Sequence, residues 1–171
     1  MLLGIEIDRI EQHLAEHSLK TDYGSKGIRF DVYVKDGTGR CFDIEVQTTS
    51  KKSLARRARY YQGMMDIDSL ERGTDYGDLK DGYVIFLCLD DPFGWGLPVY
   101  TFSNICKENR EIFLNDGAHK IFYNAAKHAI MPNETLKSFF RFLAGPAEGS
   151  ALSGSLAAMV GHAKSNAQWR Q

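Results

Sequence analysis

Residues 28–48, IRFDVYVKDGTGRCFDIEVQT, hold two stretches of period-two alternation, 28–35 and 41–48, on either side of the turn DGTGR. They read as a β-hairpin. With Gly37, Thr38 and Gly39 as a three-residue loop, Asp36 faces Arg40, and Gly39 supplies the left-handed residue that such a loop needs. The register then pairs Phe30 with Val46, Val32 with Ile44 and Val34 with Phe42, an apolar layer on one face. On the other face Asp31 meets Glu45, and Arg29 meets Gln47. Directly opposed Cβ atoms stand about 4.5–5.5 Å apart, a distance at which two carboxylates repel unless a cation lies between them. A hard divalent ion such as magnesium, which takes oxygen donors and keeps several waters, would suit the pair. The plain alternative is a solvated sheet face. A slip of one residue would put the two carboxylates on opposite faces.

Outward from the hairpin, residues 54–71 lack proline and carry Leu54, Ala58, Tyr61 and Met65 at helical spacing, with Ser53 as cap and Gly73 as the stop. YVIFLCL, 83–89, is a continuous apolar run of strand length, which predicts an interior strand covered on both faces. Residues 98–103 and 120–125 read as further strands, and ETLKSFFRFLA, 134–144, as a second amphipathic helix. Residues 145–165 are rich in Gly, Ala and Ser and read as loop plus weak helix. At the other end, the polar stretch 11–27 has weak periodicity and reads as peripheral; His13 and His17 are spaced for a polar helix face rather than a metal site. Asp90 and Asp91 are expected to cap the loop before Pro92, and the aromatics of PFGWGLPVYTF to pack a sheet edge.

The 171 residues suit one domain plus a tail, and 43 % apolar with 25 % charged residues is ordinary globular composition. No apolar run approaches the roughly 20 residues of a spanning helix, and the N-terminus has no basic leader, so no membrane and a cytoplasmic location are expected. Cys41, Cys88 and Cys106 lack C-x-x-C spacing and are expected to be free thiols. A net charge of -1 exerts no global pull on nucleic acid, so contact with it must be local. Lys51, Lys52, Arg56, Arg57 and Arg59 put five cations into nine residues directly after the hairpin. They are either a phosphate-contacting rim or a solvated helix start.

GSKGIRFDVYVKDGTGRCFDIEVQ, then RARYYQGMMDIDSLERGTDYGDLKDGYVIFLCLDDPFGWGLPVYTF and LNDGAHKIFYN, resemble the PD-(D/E)XK nuclease family transposases, relatives of the recombination-promoting nucleases, over about residues 24–125. The resemblance implies an α/β restriction-endonuclease-like core, a central mixed β-sheet flanked by helices, spanning 1–130, with a helical extension at 131–171. It implies a DNA endonuclease using Mg2+ or Mn2+, with Asp31 and Glu45 as metal ligands, the Val46 carbonyl assisting, and Gln47 at the superfamily's lysine position. Lys51, Arg57, Arg59 and Gln62 would contact DNA, and a homodimer would suit double-strand cleavage. Glutamine can orient a water or a phosphoryl oxygen but cannot exchange a proton. Activation of the nucleophile would then fall to the metal, and the rival reading is an inactive module that binds DNA or a protein. Relatives carry helical sequence ahead of LLGIEIDRIE, where an extra acidic ligand can reside; Glu6 or Glu11 are the candidates here.

Overall fold

The computed structural model describes residues 10–15, 18–19, 28–29, 31–48 and 52–145. Strand β4 (Val32–Asp36) and strand β5 (Cys41–Gln47) pair antiparallel in the expected register, with Val32 opposite Ile44 and Val34 opposite Phe42. The turn carries it. Gly39 adopts φ +86°, its N–H donates to the Asp36 carbonyl at 2.9 Å, and the Asp36 N–H donates to the Arg40 carbonyl at 3.1 Å.

The buried Asp36 carboxylate locks this turn, accepting from the Thr38 N–H (3.0 Å), the Thr38 hydroxyl (2.7 Å), the Arg40 N–H (3.0 Å) and the Arg40 Nε (2.8 Å). Burial alone would raise its pKa, but the hydrogen bonds from Thr38 and Arg40 outweigh it and hold the carboxyl below its usual range. A lowered folded pKa means that its stabilisation is present above the unfolded value near pH 4 and lost as pH falls through the folded one. Asp36→Ala is expected to cost about 2–3 kcal/mol at neutral pH. Urea titrations should show the variant and the wild type converging on acidification; a gap that does not change with pH would refute the assignment.

Beyond the hairpin, β5 runs parallel to β6 (Gly82–Cys88), β6 parallel to β8 (Ala118–Asn124), and β8 antiparallel to β7 (Val99–Phe102). With β1 (Ile10–Ala15) antiparallel to β4, the sheet order is β1-β4-β5-β6-β8-β7. The crossover from β5 to β6 is helix α1 (Leu54–Ser69), whose Leu54, Ala58, Tyr61, Met64 and Met65 pack with Tyr33, Cys41, Val84, Phe86 and Phe122. Helix α2 (Glu134–Ala144) covers the other face, setting Leu136, Phe140 and Leu143 against Val34, Phe42, Tyr83, Ile85 and Tyr123. β6 is buried at every position, as its unbroken apolar run requires.

Three local expectations change. Residues 11–15 are an edge strand and not part of a helix, so His13 stands opposite Val34 in a ladder; a register shift between Ile10 and Gln12 breaks the period-two signal there. His17 lies outside the described residues. The strand expected over 28–35 is interrupted, with Ile28–Arg29 (β3) pairing with Ser18–Leu19 (β2) and Asp31 standing at a bend, so Arg29 faces Ser18 and not Gln47. Helix α1 ends at Ser69, before Gly73, because Leu70 has turned to extended backbone. Cys41 and Cys88 are buried free thiols and Cys106 is a half-buried one. Among the described residues, no helix is long and apolar enough to cross a membrane.

Candidate active site

Alternation along β5 sends Asp43, Glu45 and Gln47 to the face that α1 covers. Asp43 and Glu45 are therefore fully buried and Gln47 nearly so, which removes the solvated-face alternative. The hairpin register brings Asp31 alongside. The ladder stops at Val32, and the Asp31 N–H turns to donate to Glu45 Oε1 at 3.0 Å. In exchange the Asp31 carboxylate accepts the Val46 N–H through Oδ2 at 3.1 Å. It is the Val46 N–H, and not its carbonyl, that reaches Asp31.

Arg57, in the first turn of α1, reaches down to this face. Its Nη2 lies 2.6 Å from Glu45 Oε2, and its Nη1 donates to Gln47 Oε1 at 2.8 Å. The guanidinium lies 5.2 Å from the ring centroids of both Tyr61 and Phe86, which favours a weakly hydrated, planar cation. Since arginine only donates, the atom of residue 47 that meets it must be an acceptor, and glutamine provides one. A lysine there would set ammonium against guanidinium. The Arg57 guanidinium thus meets Gln47 and Glu45 together.

Asp43 was not singled out from the sequence. Among the described residues, neither of its carboxylate oxygens has a hydrogen-bond partner. Burial first, then Glu45 and Asp31, push its carboxyl well above the usual carboxylate range, with Arg57 opposing. Burial therefore favours the neutral acid at Asp43 unless a cation lies beside it. Alternation already placed residue 43 on the face of Glu45; its burial under α1 was the part that the pattern did not carry.

The remaining expected residues separate. Arg56 and Arg59 are exposed on α1 and Lys52 in the turn before it, while Lys51 lies outside the described residues. Gln62 faces the sheet, 6 % exposed, donating to Asp66 Oδ1 at 3.3 Å and packing against Gly82, at the opposite end of the β5–β6 pair from Gln47. Glu11 is exposed at the irregularity beside Lys35 and Asp36, the far end of β4 from Asp31, and Glu6 lies outside the described residues.

Carboxylate oxygens are the donors that Mg2+ and Mn2+ prefer, and the orphaned oxygens of Asp43 beside Asp31 and Glu45 fit such an ion. Among the described residues no three His, Cys, Asp or Glu side chains stand ready-made around a common point. A family model described as PD-(D/E)XK nuclease family transposase matches residues 4–122. No curated protein and no solved structure matches.

Proposed function

The chain belongs to the PD-(D/E)XK nuclease family transposases, and on that premise we propose that it is a divalent-metal-dependent DNA endonuclease hydrolysing phosphodiester bonds. The observation that carries this reading is the exchange of hydrogen bonds between Asp31 and the Glu45–Val46 segment, with the Arg57 guanidinium on Glu45 and Asp43 on the same strand face. Asp31 and Glu45 would hold Mg2+ or Mn2+, with Asp43 as a third carboxylate and the Val46 carbonyl as a further oxygen. When bound, the ion polarises a phosphoryl oxygen and lowers the pKa of a water.

The chain's own groups do the rest. Arg57, restrained by Gln47, Tyr61 and Phe86, is a fixed positive charge beside the reacting phosphate, and a cation held in place before the reaction needs no reorganisation during it. Gln47 orients that guanidinium. Arg56 and Arg59, exposed on α1, and Lys52, in the turn before it, would track the DNA backbone without reading bases, and Lys51 belongs to the same proposed rim. A homodimer would bring two such sites to the two strands.

The test is nicking of supercoiled plasmid by the purified chain. Cleavage is expected with Mg2+ or Mn2+ and is expected to stop on addition of EDTA. One observation favours the rival, a DNA-binding module that does not cut: Arg57 already occupies Glu45. DNA binding with a steep salt dependence, but no cleavage with either ion, would decide for that rival.

A further inference from the structure

The parallel strands β5, β6 and β8 end together, Gln47 opposite Cys88 and Cys88 opposite Asn124, so the edge that carries the candidate site also launches the loop 89–98. In open α/β sheets this carboxyl edge is where ligands bind. The loop starts hard against the site, with the Leu89 N–H donating to the Gln47 carbonyl at 2.9 Å. It returns onto β8, where the Asn124 N–H donates to the Pro98 carbonyl at 2.9 Å and Asn124 Nδ2 to the Leu97 carbonyl at 3.0 Å.

Between those anchors the loop is rigid. Asp91 accepts from the N–H groups of Phe93 (3.1 Å), Gly94 (2.9 Å) and Gly96 (2.7 Å), and from the Tyr100 hydroxyl (2.7 Å). The Tyr100 oxygen in turn accepts from the N–H groups of Trp95 (3.3 Å) and Leu97 (3.2 Å). Phe93 packs edge-on against Tyr100, Phe102 and Phe122, as the sequence led one to expect of this aromatic run.

Trp95 does the opposite. It is 81 % exposed at the tip of this braced loop. Gly94 and Gly96, both at positive φ, flank it, so neither neighbour has a side chain to cover the indole faces. The exposed Lys127 runs past Gly96, the residue after Trp95, its Cε 3.8 Å from where a Cβ would stand, so a cationic side chain belongs to the same corner of the surface. A flat, uncovered aromatic on a braced loop, with a lysine passing its neighbour, is the chemistry that recognises a nucleobase and its phosphate.

We propose that Trp95 stacks on an unstacked base of the DNA strand held at the Glu45 edge, with Lys127 on the adjoining phosphate. This rests on the DNA-cleaving reading above, and it adds a base contact that tolerates any sequence. The chain has two tryptophans, so Trp169→Phe leaves Trp95 as the sole indole reporter. In EDTA, a fluorescein-labelled single-stranded oligonucleotide and its duplex are titrated, with anisotropy reporting binding and indole emission reporting stacking.

Quenching of Trp95 in step with binding is expected, stronger for the single strand than for the duplex. Trp95→Ala should weaken binding roughly tenfold or more with the salt slope unchanged, and Trp95→Phe should keep most of the affinity. DNA binding without quenching, or at wild-type affinity in Trp95→Ala, overturns the stacking role and leaves the nuclease reading standing. No DNA binding by the wild type overturns both. A concentration-dependent shift of Trp95 emission without DNA would assign the loop to a second copy of the chain and overturn the proposal.

Discussion

Exchanging Glu45 for glutamine is expected to abolish metal-dependent nicking, the rate falling by more than about 100-fold, since even the partners that merely orient metal ligands typically contribute 10- to 100-fold. The variant keeps the volume of the side chain and one acceptor oxygen, which can still take either the Asp31 N–H or the Arg57 guanidinium. What it removes is the charge. Asp31→Asn makes the same exchange on the other strand and keeps an acceptor for the Val46 N–H, so an equal loss is expected there. Mn2+ titration calorimetry should show weakened binding in both variants while circular dichroism shows both folded. Undiminished cleavage in either would remove that residue from the site.

Loss of the Arg57 guanidinium should have the largest effect on stability. Glu45 is fully buried, and in Arg57→Met its carboxylate would remain there without that cation, with Asp43 on the same face. Breaking one side of a buried pair typically costs about 3–5 kcal/mol, whereas replacing both partners by neutral groups is close to neutral. Arg57→Met is therefore expected to be strongly destabilised in urea, and adding Glu45→Gln to it should recover most of the loss, a coupling that a double-mutant cycle measures. Saturating Mn2+ should raise the melting temperature of Arg57→Met by more than that of the wild type, because the ion and the guanidinium compete for Glu45. A cost below about 1 kcal/mol, the range of solvent-exposed pairs, would show that the contact is effectively solvated.

Much of the site's location was legible because hairpins are governed by two local rules, the φ demanded by the turn and the two-residue side-chain period. Gly39 set the turn, and the turn set Asp31 against Glu45. The run from Tyr83 to Cys88 announced a strand covered on both faces, and Leu54, Ala58, Tyr61 and Met65 announced the helix that covers one of them. The edge strand β1 was not legible, because the irregularity near Glu11 breaks the alternation by which strands are recognised and an edge needs few apolar residues.

What local pattern cannot carry is which way a helix faces and what lies above a sheet. Among the basic residues from Lys51 to Arg59 only Arg57 stands three residues after Leu54 and four before Tyr61, at the border of the apolar stripe, but spacing does not say which groups it meets. Its direction follows from seating Ala58 and Tyr61 on β6, which rotates the guanidinium onto Glu45 and Gln47. The same seating buries Gln62 and leaves Arg59 exposed. By the same packing Asp43 becomes a buried carboxyl group without a partner among the described residues, and Trp95 stays outside because Asp91 and Tyr100 brace its loop away from the sheet that Phe93 joins. The sequence alone determined the hairpin turn, its register and the interior strand, since these depend on neighbours along the chain. Tertiary structure decided the charge that meets Glu45 and which groups stay open to solvent, since these depend on surfaces far apart in sequence coming into contact.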